Sequence, residues 1–282
     1  MVEKLHIQDV EINDIYAIDS EFLAALAPLH GVIFLFKYGN LDSESSRNDK
    51  PVFGEYDRDY QDHGIVFANQ TIQNACATIA VLNILLNKSQ QVDLGDDISG
   101  FRSFITGFDG EMVGETISNS DLIRSVHNSF SAPSYLASDD PAKKPEDYDK
   151  SELYHFVSFV RLNDHIYELD GLKSYPIKHV ECVSDDEFVT KVPEIINQRI
   201  ARYGDELRFS LLAVTNNKLL QAQSINDEVE IQTQVQKREN WKQENELRKH
   251  EYTGLIIELL KNISGQMSDE EWTEFLKSAS NK

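Results

Sequence analysis

The longest unbroken apolar pattern of the chain follows a polar segment at residues 69–75. From Cys76 to Leu86 the residues are mostly aliphatic, and none is charged. A run of this length predicts a buried helix, because strands usually span about 4–8 residues. Cys76 therefore lies where the polar turn ends and the helix begins.

Shorter apolar segments predict strands. Residues 31–37 are rich in β-branched and aromatic residues, which indicates a buried strand. In residues 155–172, apolar and polar residues alternate on either side of Asn163 and Asp164. This pair is typical of a turn, so the segment predicts a β-hairpin. Residues 208–215 predict a last strand.

The segments between these strands predict helices and loops. Leu and Ile at helical spacing in 9–27, mixed helical signals in 92–130 and further signals in 185–203 predict helices. Residues 39–62 are rich in Asp, Ser, Asn and Glu, and predict a surface loop. Residues 131–150 contain three prolines and a charged run but no core pattern, so we expect a long functional loop.

Beyond the last strand the composition changes to Gln, Glu, Lys and Asn, which predicts a long exposed helix. Residues 252–260 are more apolar, and residues 268–271 match a capping box that opens a last short helix through Leu276. The chain therefore divides into a predicted domain at 1–220 and a helical C-terminal extension at 221–282.

Charge and cysteine content exclude several classes of protein. The 282 residues carry a net charge of -21 at pH 7, so nucleic-acid binding is not expected. The first residues are polar and no apolar run approaches a bilayer span, which argues against secretion and membranes. Two cysteines are too few for a disulfide framework or a usual zinc site, and no metal or cofactor is expected. We expect a reducing compartment, the cytoplasm or the nucleus.

Cys76 is the strongest candidate for chemistry. The start of a helix stabilises a thiolate, which is the nucleophile of cysteine hydrolases. Gln70 lies six residues upstream, and its amide can donate to an oxyanion beside the Cys76 backbone N–H. Cys182 lies next to an acidic run without a comparable motif, and we expect it to be structural.

A nucleophilic cysteine needs a base, and the base needs a group that orients it. A two-residue turn at Asn163 and Asp164 places His155 and Asp170 on one face of the predicted hairpin, one diagonal step apart. An aspartate there can accept the imidazole N–H and stabilise the imidazolium. His165 points to the opposite face and is the poorer candidate. Each residue alone is more often structural, but their joint occurrence favours a cysteine hydrolase.

Several motifs extend this pattern over most of the chain. They are PLHGVIFLFK at 28–37, the segment 69–87 with NACAT at 74–78, SNSD at 118–121, HNSF at 127–130, HFVSFV at 155–160, YELDGL at 167–172 and RKHEYTGLIIELLK at 248–261. With these motifs the sequence resembles the ubiquitin carboxyl-terminal hydrolases, and the last motif resembles the extension of their longer, proteasome-associated branch.

The resemblance implies an α+β, papain-like fold, with a central antiparallel sheet between helices, a knotted backbone and a helical C-terminal extension. It assigns four catalytic residues: the nucleophile Cys76, the general base His155, the orienting carboxylate Asp170 and the oxyanion donor Gln70. Residues 131–150 match the active-site crossover loop of the family, whose length and mobility limit the leaving group.

The resemblance also implies the substrate and the partners. These are ubiquitin and its conjugates, cleaved after the last glycine of ubiquitin, and a proteasomal ubiquitin receptor bound through residues 221–282. An acidic protein suits the Arg-bearing tail of ubiquitin.

Two departures from the family pattern bear on these expectations. The family has a further N-terminal stretch, which helps to shape the ubiquitin groove, before the region that matches residues 10–38. We therefore expect reduced ubiquitin affinity, and the alternative function is a catalytically weak ubiquitin-binding scaffold of the same fold. The Lys-rich end of the longer branch is weak after Leu276, which bears on docking to the proteasomal receptor. A transglutaminase-like acyl transferase is a third interpretation.

Overall fold

The strands of the described residues form one antiparallel sheet. The computed structural model describes residues 1–131, 153–204 and 208–280. The strands in these ranges are β1 (Val10–Ile15), β2 (Leu29–Lys37), β3 (Glu55–Tyr56), β4 (Tyr154–Leu162), β5 (His165–Leu169), β6 (Ile177–Glu181) and β7 (Phe209–Asn216). They form one sheet in the order β1-β7-β2-β4-β5-β6-β3, and each neighbouring pair is antiparallel.

Helices pack on both faces of this sheet, and further helices follow its last strand in the sequence. In chain order they are α1 (Ser20–Ala24), α2 (Asn40–Arg47), α3 (Cys76–Asn87), α4 (Gly95–Phe104), α5 (Gly110–Asn119), α6 (Asp121–Asn128), α7 (Asp185–Ile200), α8 (Lys218–Ser224), α9 (Glu228–Lys249), α10 (Thr253–Ser264) and α11 (Asp269–Ser280). Short 3-10 turns occupy Val2–Leu5 and Ala201–Tyr203.

Alternation along β2 divides the core between the two faces of the sheet. Ile33 packs into a cluster with the apolar residues of α3, among them Leu82. Phe34 packs into a second cluster that contains Phe188 and Val192 of α7. Since successive strand residues point to opposite faces, β2 is buried on both sides, as its interior position in the sheet requires.

The apolar run after Cys76 forms the buried helix α3 that the sequence predicts. Its polar residues Asn83 and Asn87 hold the neighbouring chain in place. Asn83 Oδ1 accepts the backbone N–H of Ala68 at 2.8 Å, and Asn87 Oδ1 accepts that of Val66 at 2.8 Å. These hydrogen bonds fix the extended segment that leads to the first candidate site residue.

The β4–β5 hairpin has the predicted register. Leu162 pairs with His165, which leaves Asn163 and Asp164 as the turn. Both turn residues have positive φ, 45° and 59°, a conformation that Asn and Asp adopt more readily than most residues. The predicted strand at 208–215 and the predicted helix at 185–203 are also confirmed, as β7 and as α7 with its 3-10 turn.

Two predictions for the N-terminal part are wrong. Residues 9–27, predicted as helical turns, contain strand β1 and only the short helix α1. The local spacing of apolar residues is outweighed by pairing with β7, far along the chain. Residues 39–62, predicted as a surface loop, contain α2 and β3. In α2 the polar residues Asp42 and Ser45 are buried because distant side chains bind them.

The described chain beyond β7, up to residue 280, is mostly helical, as predicted. Ser268 and Glu271 form the predicted capping box, in which Glu271 Oε2 accepts the Ser268 N–H at 2.8 Å and Ser268 Oγ accepts the Glu271 N–H at 3.3 Å. The last helix continues to Ser280, beyond the predicted end at Leu276. The described residues form two compact units. One contains residues 1–129, 153–204 and 208–235, and the other contains residues 130–131 and 236–280. The predicted boundary after residue 220 stays a prediction.

The predicted loop at 131–150 lies outside the described residues, apart from Ser131. Its role stays a prediction, as does the knot. No helix in the described ranges has the length and apolar composition that a membrane span requires.

We expect Gly114→Ala to destabilise the protein and Gly100→Ala not to. A Cβ at Gly114 in α5 would lie 2.1 Å from the backbone oxygen of Asn69, and relieving that overlap costs roughly 1–3 kcal/mol of unfolding free energy. A Cβ at Gly100 in α4 meets nothing within 4 Å. Alanine there favours the helix by roughly 0.5–1 kcal/mol. Urea midpoints measure both effects, and equal midpoints for the two variants would contradict the close approach of α5 to Asn69.

Candidate active site

Cys76 is the first residue of α3. The N–H groups of a helix's first turn have no partner within the helix and carry partial positive charge. Ala75 precedes the helix without a side-chain cap, and the backbone N–H of Ala77 hydrogen-bonds to the Cys76 thiol. Cys76 is half-buried, and its thiol lies at the polarised start of the helix.

His155 and Asp170 form a buried pair at the open end of the β4–β5 hairpin. The His155 Nε2 lies 2.7 Å from the Asp170 Oδ1, and the residues are only 4% and 2% exposed. The imidazole also lies close enough to the Cys76 thiol for each group to shift the pKa of the other. Asp170 Oδ1 further accepts the backbone N–H of Leu172 at 3.0 Å. The carboxylate is thus held from two sides, and the imidazole links it to the thiol.

Aromatic residues of β2 and of the chain that follows it fix the plane of the imidazole. Phe36 pairs with His155 across the β2–β4 ladder, and their ring centroids lie 5.8 Å apart at an interplanar angle of 88°. Tyr38 meets the same ring edge-on, at 6.0 Å and 89°. Two perpendicular contacts leave the imidazole little freedom to rotate away from its partners.

Charge pairing favours the ionised forms of all three groups. Burial raises the pKa of Cys76, but the hydrogen bond and positive charge of His155 outweigh it and lower that pKa below its usual value. Burial lowers the pKa of His155, but Asp170 and Cys76 raise it to about 9. Burial raises the pKa of Asp170, whereas His155 lowers it to about 2. The shifts therefore favour the carboxylate of Asp170 and the imidazolium of His155, and they make the Cys76 thiolate easier to form than that of an ordinary cysteine.

Gln70 lies beside the loop that follows Asp170. Its backbone N–H donates to Gly171 O at 2.8 Å, and a Cβ on Gly171 would lie 3.1 Å from that same nitrogen. The side-chain Nε2 donates to Ile72 O at 3.0 Å. In the described part of the chain, the Gln70 Oε1 is buried without a hydrogen-bond partner. An amide nitrogen carries two hydrogens, so one remains to donate to an anion.

Asn69 ties the Gln70 segment to its surroundings. Its Nδ2 donates to Lys173 O at 2.6 Å, and its backbone N–H donates to Gly110 O at 2.8 Å. The segment is thereby fixed to the loop after Asp170 on one side and to α5 on the other. Three separate parts of the chain meet at the site for this reason.

A buried network of charges lies behind the histidine and the aspartate. Arg199 of α7 pairs with Glu168, which precedes Asp170 by two residues in the hairpin. Arg199 also lies 3.4 Å from Asp42 of α2, which accepts a hydrogen bond from the Tyr203 hydroxyl at 2.8 Å. Arg199 and Glu168 are 2% and 3% exposed, so either charge alone would be costly.

Arg199 acts on the site in two ways. Its positive charge adds to that of His155 in lowering the pKa of Asp170, although burial opposes both. Its guanidinium also lies over the ring of Phe36, at 4.5 Å from the ring centroid, and Phe36 in turn contacts the imidazole. The network thus supports both the charge and the position of the central pair.

The remaining candidates lie where the sequence places them. The His165 Nδ1 lies 3.1 Å from its neighbour Asn163 O, on the other face of the hairpin from Asp170. Cys182 is fully buried in the α7 cluster, where burial raises the pKa of its thiol. The sequence did not identify the supporting residues, which are Asp42, Asn69, Glu168 and Arg199. Of these only Glu168 left a signal, as a charge within an otherwise apolar strand.

Comparisons with known proteins identify the family of the chain. Residues 1–201 match the family described as ubiquitin carboxyl-terminal hydrolase, family 1, and residues 225–266 match one described as ubiquitin carboxyl-terminal hydrolases. Ubiquitin carboxyl-terminal hydrolase 2 of Schizosaccharomyces pombe is 38% identical, over 100% of this chain and 93% of that protein. Ubiquitin carboxyl-terminal hydrolase isozyme L5 of Dictyostelium discoideum is 31% identical, over 94% of this chain and 88% of that protein.

A solved structure extends the likeness to the fold. The Trichinella spiralis UCH37 catalytic domain, bound to ubiquitin vinyl methyl ester, has a TM-score of 0.62 and 31% identity, over 77% of this chain and 89% of that one. The implied antiparallel sheet with flanking helices is thereby confirmed. The chain belongs to family 1 of the ubiquitin carboxyl-terminal hydrolases, which are cysteine-type deubiquitinating enzymes.

Proposed function

We propose that this protein hydrolyses the bond after the C-terminal glycine of ubiquitin, with Cys76 as nucleophile, His155 as general base and acid, and Asp170 as the orienting carboxylate. The observation that carries the proposal is the buried 2.7 Å hydrogen bond between His155 and Asp170, beside a thiol at a helix start. That arrangement meets the requirements of nucleophilic catalysis by cysteine.

The reaction begins from the ion pair. The Cys76 thiolate attacks the carbonyl carbon of the last glycine, and the carbonyl oxygen takes up negative charge. The His155 imidazolium gives its proton to the leaving amine as the C–N bond breaks, which leaves a thioester. His155, now neutral, takes a proton from water, the hydroxide adds to the thioester, and release of the acid restores the thiolate. Asp170 keeps the imidazole in one tautomer throughout.

The negatively charged oxygen needs donors. Gln70 Nε2 has one hydrogen that is not used by Ile72 O, and the backbone N–H of Cys76 faces no acceptor within its helix. We assign these two groups to the oxyanion. One donor of this kind typically contributes about 3 kcal/mol to lowering the barrier.

We assign ubiquitin and its conjugates as substrates. Support comes from the Trichinella spiralis relative, whose structure holds ubiquitin vinyl methyl ester, at 31% identity over most of its length. The net charge of -21 also suits a substrate tail that bears arginine.

The C-terminal helices are assigned to recruitment by a proteasomal ubiquitin receptor. In the unit from Gln236 onward, α10 carries exposed apolar residues, among them Leu255 (57%) and Leu259 (52%), which lie four residues apart and share a helix face. We also assign the protein to the cytoplasm and the nucleus, because its two cysteines are free thiols that suit a reducing compartment.

An electrophilic ubiquitin probe tests the nucleophile. Ubiquitin vinyl methyl ester should form a covalent adduct with the wild-type protein and with Cys182→Ala, but not with Cys76→Ala, as measured by intact-protein mass spectrometry. His155→Gln should lower turnover of a ubiquitin–amide reporter by roughly 100-fold or more, because proton transfer is lost. An adduct on Cys76→Ala, or turnover of small amides without ubiquitin, would reject the proposed reaction.

The pH dependence of thiol alkylation tests the ion pair. In a Cys182→Ala background, iodoacetamide should modify Cys76 with a midpoint below the pKa of an ordinary cysteine thiol, because His155 stabilises the thiolate. In His155→Gln the midpoint should move above that value, since burial then acts without its main opposition. His165→Gln is the matched control and should leave the midpoint unchanged. The ion pair would be refuted by equal midpoints in the wild type and His155→Gln.

Substitutions on α10 test recruitment. Leu255→Asp and Leu259→Asp should abolish co-purification with proteasomes and leave turnover of the ubiquitin reporter within about twofold, because surface changes away from a site are close to neutral. Tyr16→Asp, at a residue that is 84% exposed and lies outside residues 221–282, is the control and should retain co-purification. Unchanged co-purification of the α10 variants would remove α10 from the recruitment surface.

A further inference from the structure

A cavity of about 330 Å³ lies at the far end of α3 from Cys76. It is bounded by the α3 C-terminus and the turn after it, by α4, by the segment before the Gln70 loop and by the β4–β5 hairpin. Its lining includes the cationic side chains of Lys88, Arg102 and Arg161. Among the described residues that line it there is no Asp or Glu. The helix separates this cavity from the catalytic thiol by roughly 17 Å, at about 1.5 Å per residue.

Lys88 is the most buried of the three cations, at 4% exposure. Its Nζ donates to Arg161 O at 3.1 Å, and no carboxylate pairs with it in the part of the chain that the structure describes. An ammonium has three N–H donors, so two remain for a ligand. Burial, followed by the positive charge of Arg161, lowers the pKa of Lys88 to about 8, which an anion in the cavity would reverse.

Arg102 and Arg161 are both held by hydrogen bonds or ion pairs, but only the charge of Arg161 is balanced by carboxylates. The Arg102 Nε donates to Leu86 O at 2.7 Å, and its guanidinium has no ion pair among the described residues. The Arg161 Nε lies 2.8 Å from Asp185, and its Nη1 lies 3.9 Å from Asp164. Arg161 is therefore paired with two carboxylates, whereas Lys88 and Arg102 form no ion pair among the described residues.

The structural roles of Lys88 and Arg102 use only part of their hydrogen-bonding capacity. A cation at the C-terminus of a helix opposes the negative end of the dipole, which gives Lys88 a use in α3. Arg102 also serves this end of α3, through its hydrogen bond to Leu86 O. These roles use one N–H of each side chain, and the remaining donors of both cations line a cavity whose described lining has no carboxylate.

We propose that this cavity binds a small phosphate-type oxyanion, of the size of phosphate or pyrophosphate, between Lys88 and Arg102. A guanidinium presents paired N–H donors to such an oxyanion, and an ammonium adds a compact charge. Ser89 and Gln91 line the same cavity and add hydroxyl and amide donors. The volume is at the lower end of the range of ligand pockets, about 300–1,000 Å³, which suits an anion of this size.

Calorimetric titration of the full-length protein with inorganic pyrophosphate, and in parallel with inorganic phosphate, tests the site. At constant ionic strength we expect saturable binding of one anion per chain. Lys88→Met and Arg102→Gln should each weaken it by roughly tenfold or more, the value of a hydrogen bond to a charged group. Ser89→Glu, on the turn after α3, replaces a small lining residue by a carboxylate and should abolish binding without removing a buried group.

The control is Lys242→Met, at an exposed lysine of α9, which should bind as the wild type does. Turnover of the ubiquitin reporter reports folding in every variant, because none of these residues contacts the catalytic groups. If Lys88→Met does not fold, Arg102→Gln and Ser89→Glu decide the question. Binding that does not saturate, or that is equal in the wild type, Arg102→Gln and Ser89→Glu, would overturn the proposal.

Discussion

The hydrogen bond between His155 and Asp170 is the interaction on which the rest of the site depends. It exists because the β4–β5 hairpin turns at two residues that tolerate positive φ, which sets the register of the ladder. A slip of one residue would turn every side chain of one strand to the other face. The imidazole would then lose its carboxylate, and the thiol at the start of α3 would lose its cation. The geometry of a short turn thus influences the pKa of a thiol in another element.

The sequence could predict the parts of this site that depend on local pattern. The apolar run after Cys76 and the turn residues of the hairpin are short-range signals, and they placed Cys76, His155 and Asp170 correctly relative to their own elements. The sequence could not predict β1, because its six residues become a strand only by pairing with β7. Pairing between strands that are distant in the sequence cannot be predicted from the local pattern of either strand.

The same limit applies to the supporting charges. The sequence predicts that Asp42 lies in a polar surface loop, since a carboxylate without a known partner is expected at the surface. It is buried because Arg199 and Tyr203 reach it from α7 and the turn that follows. Glu168 is tolerated in the interior for the same reason. A buried ionic group is strongly destabilising without its partner, so α2, the hairpin and α7 depend on one another.

The contrast between the two thiols has a consequence for oxidative conditions. Peroxide attacks thiolates rather than thiols, and it needs access. Cys76 combines a lowered pKa with partial exposure, whereas Cys182 is buried and its pKa is raised. Oxidation is therefore directed to the nucleophile, where it yields a sulfenic acid. With the second sulfur fully buried in the α7 cluster, recovery of activity depends on a thiol supplied from outside the protein.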